Sequence, residues 1–386
     1  MRLKHEDLDA LKEKFKVDRI WSFSRISTFL ECPWAYNMLY IEKRRVNTDN
    51  VYTIFGSECH EIIQEYLAKK IDRAEMSKLW TSFVERWEND PTSFQFDTKK
   101  IESGYLDNLT HYFKHTEGLN YPVRNEKPVI AKLHDKDGKL FVFVGYVDSE
   151  YTDEDGNLHL IDFKTSSKTT FTPKNLPKKS MQLLLYAIAE HQRTGIPYDK
   201  IKCKFDMQKY CNVHYQLESG KWKTSAQERS QWVAKMANKL KTKLPKANVD
   251  PITAEEMIKT ASDSNTMDNL PESIQKQFFI TNYYIEVKIS EETCDKLEMK
   301  ITGYCNDIHD LENKDDIQTY LEINYPYDPD NFYCKKLCAY HSSREFKEEN
   351  GMIEPEITES LEVNDIFGGE EDKNVDDDDL LNLLLK

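Results

Sequence analysis

Residues 139–165 read KLFVFVGYVDSEYTDEDGNLHLIDFKT, and this stretch decides the fold. KLFVFVGYVDSEY is apolar on both sides of its alternation, as a strand covered on both faces must be. DEDG (153–156) is a turn sequence, and an extended apolar pattern resumes after it. The stretch therefore reads as two strands, 139–151 and 157–165, joined as a hairpin. A third strand, 128–134, precedes them across a second turn sequence, DKDG (135–138). In a strand, residues i and i+2 point to the same face, so Asp162 and Lys164 project together. The hairpin brings Asp148 alongside them.

Two carboxylates and a lysine at the end of a buried hairpin are costly unless they are paired or bind a cation. Oxygen ligands suit a hard divalent ion, Mg2+ or Mn2+. Asp148 and Asp162 are the candidate ligands, with the main-chain carbonyl of Phe163 as a further one. Lys164 is placed to position or deprotonate a water, or to neutralise charge developing on a phosphate. Together these groups fit metal-assisted phosphodiester hydrolysis. Taken alone, an Asp-x-Lys on a strand is more often a surface salt bridge.

Outward from this hairpin, the first third of the chain reads as mostly helical. Helices are expected over 1–20, through RISTFLECPWAYNMLYIEK with a bend or break at Pro33, over SECHEIIQEYLAKK, and near 74–88 and 98–116. After the three strands come a Ser/Thr/Lys/Pro-rich loop (165–180) and a helix, SMQLLLYAIAEHQ. One or two strands follow over 200–217, then a basic helix over 223–243. Residues 250–275 read as polar and irregular, 277–289 as a strand, 290–313 as a helix and 325–346 as loop. The class is α/β, with a mixed central sheet flanked by helices and a helical N-terminal region. Three segments are expected: a helical region over 1–120, the core with a C-terminal cysteine segment over 121–349, and an acidic, disordered tail over 350–386.

Three further motifs, with the hairpin's own, stand in the right order along the chain and give it a family context. GYVD with IDFKT resembles the motif of the PD-(D/E)xK nucleases, specifically their RecB-type exonuclease branch, and implies a restriction-endonuclease-like fold. Gly56 and His60 in GSECHEIIQEYL resemble the early G-x-x-x-H motif of that branch, whose histidine is a metal ligand. Gln182 and Tyr186 in MQLLLYAIAE match its Q-x-x-x-Y helix and share one helical face. SFSRISTFLECPWAY resembles its N-terminal segment, and Glu126 aligns with an upstream acidic residue. The resemblance covers roughly residues 20–346. It implies a Mg2+- or Mn2+-dependent deoxyribonuclease, an exonuclease acting on DNA ends or single strands in recombination, repair or replication, with a phage source in view. His60, Asp148, Asp162 and the Phe163 carbonyl would hold the metal. Lys164 would orient water, and Gln182 and Tyr186 would support Lys164 or contact the DNA backbone.

Of the eight cysteines, some relatives' pattern matches Cys32, Cys334 and Cys338. In those relatives one early and three late cysteines hold an iron–sulfur cluster. Here residues 339–386 contain none, so the fourth ligand of a [4Fe–4S] cluster is missing. With His341 as the fourth ligand, the set becomes a Cys3His site for an iron–sulfur cluster or Zn2+. The other outcomes are a different cysteine folding into place, or thiols that pack as small hydrophobes.

The formal net charge is −15. Residues 351–386 hold 12 acidic residues and 2 lysines, a balance of −10, which leaves −5 for the rest. Phosphate binding depends on the local field, so an acidic total does not exclude DNA. Lys43, Arg44, Arg45, Lys168, Lys174, Lys178 and Lys179 flank the hairpin motifs and are expected to follow a phosphate backbone, with Trp34, Tyr36 and Tyr40 stacking on bases. The tail, ending NVDDDDLLNLLLK, reads as a tether for a protein partner. No apolar run spans a membrane, and the charged N-terminus is no signal peptide, so a cytoplasmic protein is expected. Two other functions fit the same residues: a non-catalytic DNA-binding subunit, and an adaptor working through residues 351–386.

Overall fold

The computed structural model describes residues 3–44, 49–331, 333–338, 340–341 and 343–352. The expected acidic tail thus lies almost wholly outside the described residues. Among the described residues, seven strands form one mixed sheet: β1 (Ile20–Trp21), β2 (Arg124–His134), β3 (Leu140–Thr152), β4 (Leu158–Lys164), β5 (Ile201–Gln216), β6 (Trp222–Glu228) and β7 (Phe278–Val287). The order is β1-β3-β4-β5-β6, with β2 also on β3 and β7 also on β5. β4 and β5 run parallel, while β2–β3, β3–β4, β5–β6 and β5–β7 are antiparallel. β1 also runs parallel to β3, and the β4-to-β5 step needs a crossover, which α7 (Leu176–Lys179) and α8 (Met181–Thr194) supply.

To number the helices in order, α1 (His5–Phe15), α2 (Phe23–Glu31), α3 (Pro33–Tyr36), α4 (Val51–Leu67), α5 (Arg73–Asn89) and α6 (Lys99–His115) precede α7. After α8 come α9 (Trp232–Lys243), α10 (Pro251–Ser264), α11 (Glu272–Gln275), α12 (Glu291–Glu312), α13 (Ile317–Asn324) and α14 (Arg344–Glu349). Pro33 breaks the chain as expected: Ser22 caps α2, Cys32 is extended, and Pro33 opens α3. Among the described residues no helix is long and apolar enough to cross a membrane.

Burial sorts these elements into three cores. Helices α4–α6 pack Phe55, Cys59, Ile62, Trp80 and Tyr112 against Tyr151, Ile161 and Phe163 of the sheet. On the opposite face, α8 and α12 cover Leu160, Phe205, Met207 and Val147. The third core lies under the outer half of β5, where Cys211, Val213 and Phe278 meet α9 and α10. Helix α8 is further clamped by a buried ionic cluster. Lys127 Nζ donates at 2.8 Å to both Glu150 and Glu190, and Arg193 closes on Glu190 at 2.6 Å.

Two sequence expectations are corrected here. Residues 223–243 are not one helix, because Trp222–Glu228 form β6 on Tyr210–Gln216, and the helix begins at Trp232. The turn at 217–221, closed by Leu217 N–H to Lys221 O at 2.8 Å with Gly220 at φ +76°, folds this segment back onto β5. Tertiary pairing thereby overrides its modest helical preference. Residues 250–275 are not irregular, for they carry α10 and α11. The overlooked signal was Asp250-Pro251: Asp250 accepts from Ile252 and Thr253 N–H, and Pro251 sits in the first turn. Residues 200–217 form one strand, irregular in its register with β7 between Asp206 and Cys211.

Candidate active site

Strands β3 and β4 part company at the motif. Their ladder runs from Thr152↔Leu158 to Ser149↔Ile161 and goes no further, while β4 stays paired with β5 through Lys164↔Met207. Asp148 and Asp162 are the next residues along. Parting leaves backbone groups that must be satisfied some other way, and the motif side chains satisfy them. Asp148 Oδ2 accepts from Phe163 N–H at 3.1 Å. His60 Nε2 lies 2.9 Å from the Phe163 carbonyl. Gln64 donates to the Asp148 carbonyl at 3.2 Å.

A carbonyl only accepts, so its contact places the hydrogen of His60 on Nε2. The lone pair of a neutral imidazole then sits on Nδ1, which is 3.5 Å from Asp148 Oδ2. Two lone-pair donors facing each other call for a proton or a cation between them. Asp162 is buried, and its Oδ2 is 2.5 Å from Lys164 Nζ. That ion pair is the polar contact of the buried Asp162 Oδ2. The Phe163 carbonyl, expected to face a metal, carries the His60 hydrogen bond. His60, Asp148 and Asp162 thus gather at one place. Their donor atoms do not draw within 4.8 Å of one another as a set, whereas those of Cys32, Cys334 and His341 do.

The electrostatics follow from the crowding. Burial, then the neighbouring Asp162 carboxylate, push Asp148 up to about 6 against the pull of His60 and Lys164. Burial is the largest influence on Lys164 and lowers its pKa, but Asp162 and Asp148 together outweigh it, and the net shift is upward. Lys164 therefore keeps its proton at neutral pH.

On α8, Gln182 donates to the Tyr186 hydroxyl at 2.8 Å. Burial raises the Tyr186 pKa, and the Asp148 and Asp162 charges add to the rise. Gly145 explains how the ring gets there, since a Cβ at this position would lie 2.4 Å from Tyr186 Cε1. The glycine of GYVD is a space left for the tyrosine of the later helix.

Sequence reading missed Gln64. It also donates to Glu126 Oε1 at 3.0 Å, so one amide ties Glu126 to the Asp148 backbone. Glu126 lies within β2 at φ +49°. The β2–β3 ladder passes from Asn125↔Ser149 to Lys127↔Val147 and skips Glu126 and Asp148. Left-handed backbone is costly for a side-chain-bearing residue, and such strain gathers at functional sites. The available signal for Gln64 was its i,i+4 spacing from His60.

The cysteine set also comes together. Cys338 Sγ is 3.1 Å from Cys32 Sγ, and His341 Nδ1 is 3.6 Å from Cys32 Sγ. All four residues are buried, and His341 Nε2 has no hydrogen-bond partner. Sharing a proton with Cys338 raises the Cys32 pKa, while that same hydrogen bond lowers Cys338. Cys59, Cys203, Cys211, Cys294 and Cys305 are buried elsewhere and pack in the three cores.

The expected DNA-stacking aromatics are corrected in part. Trp34 and Tyr36 belong to the core, with Trp34 stacked on Tyr340 at 4.9 Å and Tyr36 fully buried. A ring with no exposed face cannot stack on a base. Of the flanking cations, Lys178 pairs with Glu31 at 2.8 Å and Arg44 lies 3.6 Å from Glu42, while Arg45 lies outside the described residues.

The PD-(D/E)XK nuclease superfamily profile matches residues 20–263, well over half of the chain. The chain belongs to the PD-(D/E)XK nuclease superfamily. Its mixed sheet flanked by helices is the arrangement of that superfamily. Among solved structures, the crystal structure of SSO0001 is similar at 15% identity, over 64% of this chain and 88% of that one, with a TM-score of 0.17. No curated protein matches this PD-(D/E)XK chain.

Proposed function

We propose that the protein hydrolyses DNA phosphodiesters as a Mg2+- or Mn2+-dependent exonuclease of the RecB-type branch, acting on DNA ends in recombination, repair or replication. One observation carries the reading: the Asp162–Lys164 ion pair stands where β3 and β4 diverge, beside Asp148 and His60. The Asp162 carboxylate, whose Oδ2 is ion-paired with Lys164, and the opposed His60 Nδ1 and Asp148 Oδ2 are the groups that would hold the cation. Bound there, a divalent ion lowers the pKa of water and offsets charge on the reacting phosphate. Lys164, which stays protonated, donates to the attacking water and to the phosphate oxygens. Gln182 and Tyr186 hold the far side of the site against Gly145.

The test compares the protein with Lys164→Ala on end-labelled single- and double-stranded DNA in Mg2+ and Mn2+. The variant is expected to keep its fold and DNA affinity and to cleave roughly 100- to 1,000-fold more slowly, as when a charge-stabilising donor is lost. Equal cleavage by both proteins would remove the mechanism. DNA binding without cleavage by the unaltered protein would favour a non-catalytic subunit.

We further propose that Cys32, Cys334, Cys338 and His341 hold one Zn2+ rather than an iron–sulfur cluster. Zn–S bonds of about 2.3 Å put tetrahedral ligand sulfurs roughly 3.8 Å apart. The Cys32 Sγ–His341 Nδ1 separation of 3.6 Å suits a sulfur and a nitrogen on one ion, the Cys32–Cys338 sulfurs at 3.1 Å would have to open by a few tenths of an ångström to share it, and neither distance leaves room for a four-iron cube. Such an ion would staple α2 and α3 to the C-terminal segment.

A further inference from the structure

The face of the sheet that carries Asp162 and Lys164 does not stop at the active site. Asp162 pairs with Phe205 and Lys164 with Met207, and paired residues share a face. Phe205 pairs with Ile285 of β7. Beyond the irregularity in β5, Asn212 pairs with Thr281 and His214 with Phe279. β7 alternates without a break, so Ile285, Tyr283, Thr281 and Phe279 share that face, and the bulge keeps Asn212 and His214 on it as well. Across the other edge, Gln216 pairs with Trp222 and His214 with Thr224. A single face therefore runs from Lys164 out to Trp222, roughly 20 Å at about 3.3 Å per residue of the unbroken β7, since β5 carries extra residues at its irregularity.

Its two halves differ. Near the site it is covered, with Phe205, Met207 and Tyr210 in the core under α8 and α12. Farther out, among the described residues, no helix covers it, although the reverse face is packed by α9 and α10. A half-solvated antiparallel ribbon ordinarily turns polar residues outward. This one presents Trp222 and Phe279, each 47% exposed. Phe279 stacks on His214 at 4.4 Å, within 9° of parallel, and Trp222 meets Phe279 at 5.1 Å. Lys168 links this patch to the active site. It lies 5.0 Å from the Tyr210 ring and 5.6 Å from the Tyr283 ring, and its neighbour Ser167 is 3.1 Å from the Tyr210 hydroxyl.

We propose that this aromatic face is a stacking platform for the bases of an unpaired DNA strand whose end reaches Asp162 and Lys164. The inference rests on the nuclease reading above and names its substrate as single-stranded. A molecule lying along this face ends at the reacting groups, so its occupant is the substrate. Base faces are free to stack on protein rings only in an unpaired strand, because a duplex buries them in its own stack. Lys168 is placed for a phosphate between platform and site. Cross-strand aromatic pairing also stabilises the ribbon, but that role needs neither half-exposed rings nor any preference among DNA forms.

The test uses the full chain and fluorescein-labelled oligothymidylate and blunt duplex of equal length. Anisotropy without metal gives affinity, and Mg2+-dependent digestion gives KM and kcat. The Trp222→Ala/Phe279→Ala variant is expected to bind the single strand about 10- to 100-fold more weakly. Its KM should rise with kcat unchanged and duplex affinity should stay as in the unaltered protein, while the thermal midpoint falls only slightly, by the lost cross-strand pairs. Trp222→Phe, which keeps a ring and the fold, is expected to retain most of the single-strand affinity. Unchanged single-strand binding in the double variant, or equal loss for single strand and duplex, overturns the platform. Selective loss of single-strand binding in a protein that cleaves nothing upholds the platform and overturns the nuclease reading.

Discussion

Three polar side chains of the proposed site have a structural duty. Asp148, His60 and Gln64 satisfy the backbone that the diverging strands leave open, so their orientation is fixed before any substrate arrives. Gln64 illustrates the cost of losing such support. Its amide bridges Glu126 and the Asp148 carbonyl, and Glu126 is held in left-handed backbone. Gln64→Ala is expected to weaken Mn2+ affinity and lower cleavage by about 10- to 100-fold, the usual effect of removing a group that orients a metal ligand. Calorimetric titration with Mn2+ checks this. An unchanged affinity would mean that the amide only packs α4 on the sheet.

At the scale of elements, Gly145 and the cysteine cage each join parts distant in sequence. Gly145→Ala drives a methyl into Tyr186 and is expected to cost roughly 1–3 kcal/mol. Urea denaturation should show that adding Tyr186→Ala returns part of this loss, since the two changes share one contact. If the costs simply add, the close approach is not what places α8. The cage ties the extended Cys32 between α2 and α3 to Cys334, Cys338 and His341. Elemental analysis is expected to find one zinc per chain and no visible charge-transfer band. Chelation should lower the thermal midpoint, and Cys338→Ser should lower it without chelator. A brown protein containing iron would reverse the assignment to zinc.

Across the whole molecule, acid stability depends on groups remote from the site. His111 on α6 is buried, 4.2 Å from the His115 ring. Burial first, then the positive fields of His115, Arg229 and Lys114, bring its pKa down to about 3. The unfolded chain takes up this proton near pH 6.5, but the folded protein does so only near pH 3. Its contribution to stability is therefore complete above pH 6.5 and is lost as pH falls toward 3, by at most about 1.4 kcal/mol per pH unit. His111→Gln is expected to flatten the dependence of the urea midpoint on pH between 6.5 and 4. An unaltered slope would assign the acid sensitivity to other groups.

The hairpin at 139–165 announced itself because apolar alternation, two Asp-Gly turns and an Asp-x-Lys pair all act over a few residues. The same locality made α4, α6 and α8 legible, whereas the cysteine set was read from a family resemblance. β6 and α10 were misread because one depends on a partner strand and the other on a single capping aspartate. Local pattern thus determined the α/β class, the helical lead-in and which side chains were candidates for the site. Only the tertiary structure decided that β3 leaves β4 at Asp148, that Gly145 makes room for Tyr186, and that Trp34 and Tyr36 are buried while Trp222 and Phe279 are open. These outcomes depend on how far elements separated by many residues approach one another, and that distance is set by packing rather than by local sequence.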